Sequence, residues 1–185
     1  MKKQKQERDH RMVATVEDIK ELREVTSCGV IECKKALEEA KGDKQKAKEI
    51  LRTRGLELAA KKAGREAKEG RVEAYVHMGS KIGVLLEVNC ETDFVAKNTD
   101  FGVFTKDVAM HIAAMAPEYI READIPADVL AQAENKKEFV KTKCLLNQAF
   151  IKDASLTVQD YLNSLVAKIG ENIVISRFCR YKVGQ

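Results

Sequence analysis

No apolar run in the sequence approaches the roughly 20 residues that a membrane-crossing helix requires, which excludes an integral helical membrane protein. The first eleven residues, Met1 to Arg11, are too polar to hold the apolar region of a secretory signal, so a cytoplasmic location is expected. Cysteine is sparse and scattered. Cys28, Cys33, Cys90, Cys144 and Cys179 are odd in number and form no Cys-x-x-Cys pair, which argues against a zinc site or a disulfide framework and for reduced thiols. The three histidines, His10, His77 and His111, stand far apart, and His77 and His111 read as residues packed within the core. No Gly-x-Ser-x-Gly, phosphate-loop or His-Glu-x-x-His pattern occurs. With no acid–base or nucleophile pair to nominate, no enzyme activity, metal or cofactor is expected.

What the sequence does hold is length and charge. Its 185 residues are 44% hydrophobic and 34% charged. They suffice for one medium domain, or a small one beside a larger one, with a core that needs no metal or disulfide. The net charge of +4 is unevenly spread: residues 1–71 carry 20 basic and 14 acidic side chains, and residues 72–185 carry 13 and 15. A basic front end suits nucleic acid or an acidic protein surface. The interleaving of both signs, the acidic carboxyl-terminal region and the lack of clustered aromatics for base stacking weigh against direct nucleic-acid binding.

Residues 1–12 read as a polar, disordered tail. Residues 13–55 read as three short amphipathic helices. Thr15 caps the first, which carries Val16, Ile19 and Leu22 and is broken by Thr26-Ser27-Cys28-Gly29. The second bears Ile31, Ala36, Leu37 and Ala40 and stops at Gly42; Asp43 caps a third bearing Ala47, Ile50 and Leu51, ended at Gly55. Such a bundle is similar to the ubiquitin-associated type, a binding head with a small core. Residues 56–70, rich in Ala, Lys and Glu, read as a helical connector. From 71 the period changes to that of strands: Val72, Ala74 and Val76 alternate with Arg71, Glu73 and Tyr75, Met78–Lys81 supplies a turn, and Ile82–Val88 reads as a more deeply buried partner. A helix over Phe101–Met115 places Phe104, Val108, Ile112 and Met115 on one stripe. A long charged helix is expected from Ile125-Pro126 to about Phe150. Thr157 caps another helix, which stops at Gly170, and a closing strand runs Ile173–Tyr181 with Ile173, Ile175, Arg177, Cys179 and Tyr181 in alternation. Residues 71–185 therefore predict an α+β core: a three-stranded antiparallel sheet covered on one face by helices.

The informative junction is Val88-Asn89-Cys90-Glu91-Thr92-Asp93-Phe94-Val95-Ala96-Lys97. A buried strand ends there in a polar step. From the residues alone two readings stay open. Thr92 or Asp93 caps a helix whose first turn packs Phe94 inward, or Asp93 and Phe94 project together as a hydrogen-bonding group beside an apolar anchor, the arrangement in which an interface concentrates its energy. The stretch Glu87–Asn98 resembles the signature of the bacterial elongation factor Ts family. So do Leu22-Arg23-Glu24-Val25-Thr26, Cys33–Asp43, Ala60–Arg65, Gln148–Asp153 and Gly170-Glu171-Asn172-Ile173, in family order across almost everything after Met12.

That resemblance implies nucleotide exchange on the GTPase elongation factor Tu, with no covalent chemistry. It implies that Thr92, Asp93, Phe94 and Val95 enter the GTPase beside its magnesium site and disturb the groups that hold the ion, with Phe94 as wedge. It further implies that the amino-terminal bundle grips the GTPase through Gly29, Val30, Ile31 and Lys34. The family's usual loop here pairs glycine with two methionines. Gly29-Val30-Ile31 keeps the apolar contact without methionine's adaptability, and Ser27-Cys28 replace the commoner Gly-Ala. Packing of Val30 and Ile31 within the bundle is the alternative. In length the chain resembles the family's short forms, which hold one core copy and pair as dimers. A homodimer is therefore expected, with the closing-strand edge Arg177–Tyr181 and Cys179 as candidate contacts.

Overall fold

A computed structural model describes residues 14–26 and 28–185. The expected tail over 1–12, and Ser27, lie outside the described residues. Two compact units divide between Arg54 and Gly55.

The first unit holds α1 (Val16–Thr26), α2 (Val30–Glu39) and the start of α3 (Lys44–Lys62). The Thr15 hydroxyl accepts the Asp18 N–H at 3.1 Å, and Asp43 Oδ1 accepts the N–H groups of Gln45 and Lys46 at 3.0 Å each, so both expected caps are made. Leu22, Cys33, Ala36, Leu37, Ala40, Ala47 and Leu51 form the core. Most of these are small, which lets three short helices approach closely. One expectation fails: α3 does not end at Gly55 but runs on to Lys62. A lone glycine inside a helix costs only about 1 kcal/mol, and Leu56, Glu57, Ala59 and Ala60 are strong helix formers that carry the turn through.

The second unit is the α+β core. Its sheet has the order β1 (Glu69–Val76), β2 (Ile82–Cys90), β5 (Ile173–Lys182), antiparallel throughout. The inner face of β2, Val84, Leu86, Val88 and Cys90, packs with Phe101, Phe104, Val108 and Ile112 of α5 (Thr99–Met115) and with Val158, Leu162, Leu165 and Val166 of α8 (Val158–Ile169). Thr157 and Asp160 form a reciprocal capping box on α8, and Gly170, at φ +83°, stops it. β1 turns its more polar side inward: Glu73 is buried, paired with Arg71 Nη2 at 3.0 Å and accepting the Thr105 hydroxyl at 3.2 Å. Its apolar side, Val72, Ala74 and Val76, faces outward.

The long helix expected after Ile125-Pro126 is instead two short ones, α6 (Ala127–Gln132) and α7 (Lys136–Lys143). Asn135 breaks it by accepting the Glu138 N–H at 3.1 Å and starting α7 anew. Burial of Cys144 and Leu145 then draws the chain into a bridge with Tyr119 and on to a small hairpin, β3 (Ala149–Phe150) and β4 (Asp153–Thr157). β5 also departs from simple alternation. Its pairing with β2 jumps from Val88–Ile175 to Glu87–Arg177, leaving Ser176 as a bulged residue. Ile173 and Ile175 face the core before the bulge and Phe178 and Arg180 after it, so Arg177, Cys179 and Tyr181 lie on the open face rather than in line with the isoleucines. Of the two histidines expected in the core, His111 is buried, but His77 is exposed in the β1–β2 turn.

Candidate functional site

The junction after β2 is a corner built from both ends of the core. β2 finishes at Cys90, whose backbone lies opposite Ile173 of β5. Gly70 faces Asn89 on the other side at φ +149°; a Cβ there would sit 2.2 Å from the Val88 carbonyl oxygen, so only glycine lets β1 pass this close. The Cys90 thiol donates to the Thr92 carbonyl at 3.1 Å, and burial raises its pKa to about 11.

A single turn of helix, α4 (Asp93–Ala96), follows. Thr92 occupies its N-cap position with extended backbone, yet makes no side-chain cap. Its hydroxyl donates instead to Glu171 Oε1 at 2.7 Å, while Glu171 Oε2 accepts the N–H groups of Glu91 at 3.1 Å and Thr92 at 3.0 Å. Glu91 replies in kind. Its Oε1 accepts the Asn172 N–H at 2.6 Å, which lowers its pKa with help from Arg65, whose Nη1 lies 3.4 Å from Oε2. Asn172 Nδ2 donates to the Arg65 carbonyl at 2.7 Å, and Lys62 Nζ to the Gly170 carbonyl at 2.6 Å.

Out of this scaffold project two side chains. Phe94 is 82% exposed. Asp93 is half-exposed, accepting from Lys97 Nζ at 2.7 Å, a bond that holds its carboxyl below the ordinary range. Val95 points the other way, buried in the core at 8%. An apolar ring left in water beside a carboxylate paired only at the surface is suited to a concave partner surface with hydrogen-bond donors.

In the first unit, Gly29 precedes α2, and Val30 and Ile31 are 50% and 68% exposed; Lys34, one turn on, is exposed beside Glu38. Cys179 is half-buried on the open sheet face opposite Leu85. Among the described residues no group of three or more His, Cys, Asp or Glu could hold a metal ion, and no helix is long and apolar enough to cross a membrane. Sequence reasoning did not foresee Glu171, Glu91, Arg65 or Asn172 as supports of the corner. Glu171 lies 80 residues from Glu91 and Asn172 lies 107 from Arg65, and although all four fall in family-like stretches, nothing local marks them as supports of one corner.

The whole chain can be set beside known proteins. It matches the family described as Elongation factor TS over residues 7–143 and 134–185. It is 51% identical over 194 residues to elongation factor Ts of Carboxydothermus hydrogenoformans, covering 92% of this chain and 89% of that one. The corresponding protein of Acetivibrio thermocellus is 52% identical over 196 residues, covering 94% and 91%. That of Geobacter metallireducens is 47% identical over 200, covering 94% and 91%. Similarity of this depth over nearly the full length of both partners places the chain in the elongation factor Ts family.

Proposed function

We propose that the corner Thr92-Asp93-Phe94-Val95 is the element through which this chain loosens GDP from its GTPase. As a member of its family the chain is a cytoplasmic nucleotide exchange factor for elongation factor Tu in translation elongation, and it makes no covalent bond. GDP is held largely by a magnesium ion bridging its phosphates and by phosphate-loop N–H groups. Phe94 enters beside that ion as a wedge, and Asp93 takes hydrogen bonds from groups the wedge displaces. Val95, turned into the chain's own core, and Thr92, bonded to Glu171, hold the backbone behind them. The observation that carries this reading is the exposure of Phe94 on a backbone fixed from two directions. Accelerating release 10⁴-fold requires only about 5.5 kcal/mol of selective stabilisation of the release transition state. One buried aromatic with a few charge-assisted hydrogen bonds supplies much of that.

Gly29, Val30, Ile31 and Lys34 form a second contact, gripping the GTPase apart from the nucleotide. The open face of the sheet is a homodimer contact. Val72, Val76, Leu85 and Tyr181 lie exposed there with Cys179 among them. A two-fold axis would set this patch against the same patch of a second copy, which covers it with the same residues.

The test of the wedge is GDP release from purified elongation factor Tu, with and without this protein, in millimolar magnesium and again after chelation. A large acceleration is expected with the ion present and a much smaller one without it. Equal acceleration in both conditions refutes magnesium displacement.

A further inference from the structure

We propose that Glu171 is the positioning residue for Asp93 and Phe94, an inference that rests on the reading of that pair as the inserted element. α4 is one turn long, too short to hold its own shape, so whatever fixes it must come from elsewhere in the fold. Two grips do so. From inside, Val95 is buried in the core. From outside, the Glu171 carboxylate gathers three donors, the N–H of Glu91 and both the N–H and hydroxyl of Thr92. These are charge-assisted bonds, and all fall immediately upstream of Asp93. Between the two grips Asp93 and Phe94 are the two that project, Asp93 with its carboxylate on Lys97.

Glu171 is itself well placed to act as a fixed post. It follows Gly170, whose left-handed conformation ends α8, and precedes β5, whose Ile173 pairs with Cys90 at the end of β2. The Asn172 N–H bonds back to Glu91 at 2.6 Å, so two glutamates exchange backbone donors across the junction. The Thr92 hydroxyl, which at a helix start ordinarily accepts from the helix, is turned away from α4 to donate to this carboxylate. The helix gives up its cap, and the corner gains a tether. A tether of this kind fixes Phe94 before the partner arrives, so that binding does not have to order the turn. Glu171 touches neither nucleotide nor, in this reading, the GTPase; it acts through Thr92.

The experiment compares acceleration of GDP release from elongation factor Tu by the full chain and by Phe94→Ala, Glu171→Ala, Glu171→Gln and the Phe94→Ala/Glu171→Ala pair. Loss of the carboxylate is expected to lower the acceleration roughly 10- to 100-fold, the cost of misplacing a reacting group by about an ångström. Glu171→Gln, whose carbonyl still accepts the two N–H groups, recovers most of it. The pair loses much less than the two single losses combined, since Glu171 acts largely through the same ring. Because the chain has no tryptophan, Phe94→Trp reports directly on the corner: its fluorescence anisotropy falls when Glu171→Ala is added, a change that a merely structural role elsewhere does not produce. Should Glu171→Ala fail to fold, Thr92→Val removes only the hydroxyl donor and is expected to lose at least about threefold. Parity of Glu171→Ala, or of Thr92→Val in its place, with the parent overturns the proposal, as do losses that add in full to those of Phe94→Ala. Full activity in Phe94→Ala instead overturns the underlying reading of the corner, and the proposal with it.

Discussion

Replacing Phe94 with alanine separates folding from function more cleanly than any other change in this chain. The ring is 82% exposed, so the fold has little to lose: a change in unfolding free energy within about 0.5 kcal/mol is expected. The complex has much to lose. A phenylalanine offers roughly 200 Å² to bury, and with 82% still in water about 160 Å² of it remains for a partner to cover. At about 25 cal/mol per Å² that is close to 4 kcal/mol, and since alanine keeps its own methyl the loss is about 2–4 kcal/mol. The expected fall in GDP-release rate, at concentrations of the exchange factor below saturation, is therefore roughly 30- to 1000-fold. Stopped-flow fluorescence of a labelled GDP leaving elongation factor Tu measures the rate, and a thermal melt on the same sample measures the fold. Phe104→Ala is the matching control. That ring is fully buried against α8, and its removal is expected to cost about 3–5 kcal/mol of stability. A Phe94→Ala variant within threefold of the parent's rate would refute the wedge. One whose melting point drops as far as that of Phe104→Ala would show the ring to be structural.

The other expectations concern the scaffold. Gly70→Ala sets a Cβ 2.2 Å from the Val88 carbonyl in a backbone region closed to other residues. A loss of about 2–5 kcal/mol should follow, read by urea denaturation; an unchanged midpoint contradicts the close approach of β1 to β2. Burial depresses the pKa of His111, whose Nε2 meets Gln148 Oε1 at 2.9 Å and whose Nδ1 accepts the Ile151 N–H at 3.2 Å. The unfolded chain therefore takes up a proton below about pH 6.5 that the folded chain refuses. The stability linked to this group is complete above that pH and is lost as pH falls toward the depressed folded value, at no more than about 1.4 kcal/mol per pH unit. Urea melts of the parent and His111→Asn across pH 5–8 should differ in slope on the acid side, and parallel curves exclude the linkage. Leu85→Asp, in the middle of the open sheet face, should convert a dimer to a monomer by light scattering while leaving the melt of the separated subunit near that of the parent; an unchanged mass removes the proposed contact.

Much of this fold is legible because its signals are local. Thr15, Asp43 and Thr157 cap helices within three residues of themselves, and the Phe104, Val108, Ile112 stripe declares the inner face of α5. The failures have a common physical origin in distant contacts overriding local ones. Lys- and Glu-rich composition argues for one helix after Pro126, but the pull of Cys144 and Leu145 into the core rewards a break at Asn135. His77 reads as apolar-flanked, yet the turn that joins β1 to β2 leaves it in water. At the corner the residues that project are visible as a short motif, while their support comes from Glu171, far along the chain, where Gly170-Glu171-Asn172-Ile173 resembles the family without showing that the acid reaches back to Thr92.

The unpaired Ser176 has a consequence for β5 as a whole. Which side each later residue takes is dictated by β2, not by the strand's own spacing. Losing Ser176 would even out the ladder and leave Phe178 beneath the helices and Cys179 above. Smoothing the strand by a one-step slide at constant length would do the opposite, driving the Arg177 guanidinium under α5 and expelling Phe178 into water. The irregularity thus behaves as a detent: it tolerates shortening, forbids slippage, and keeps a thiol and a tyrosine turned outward at the end of the chain.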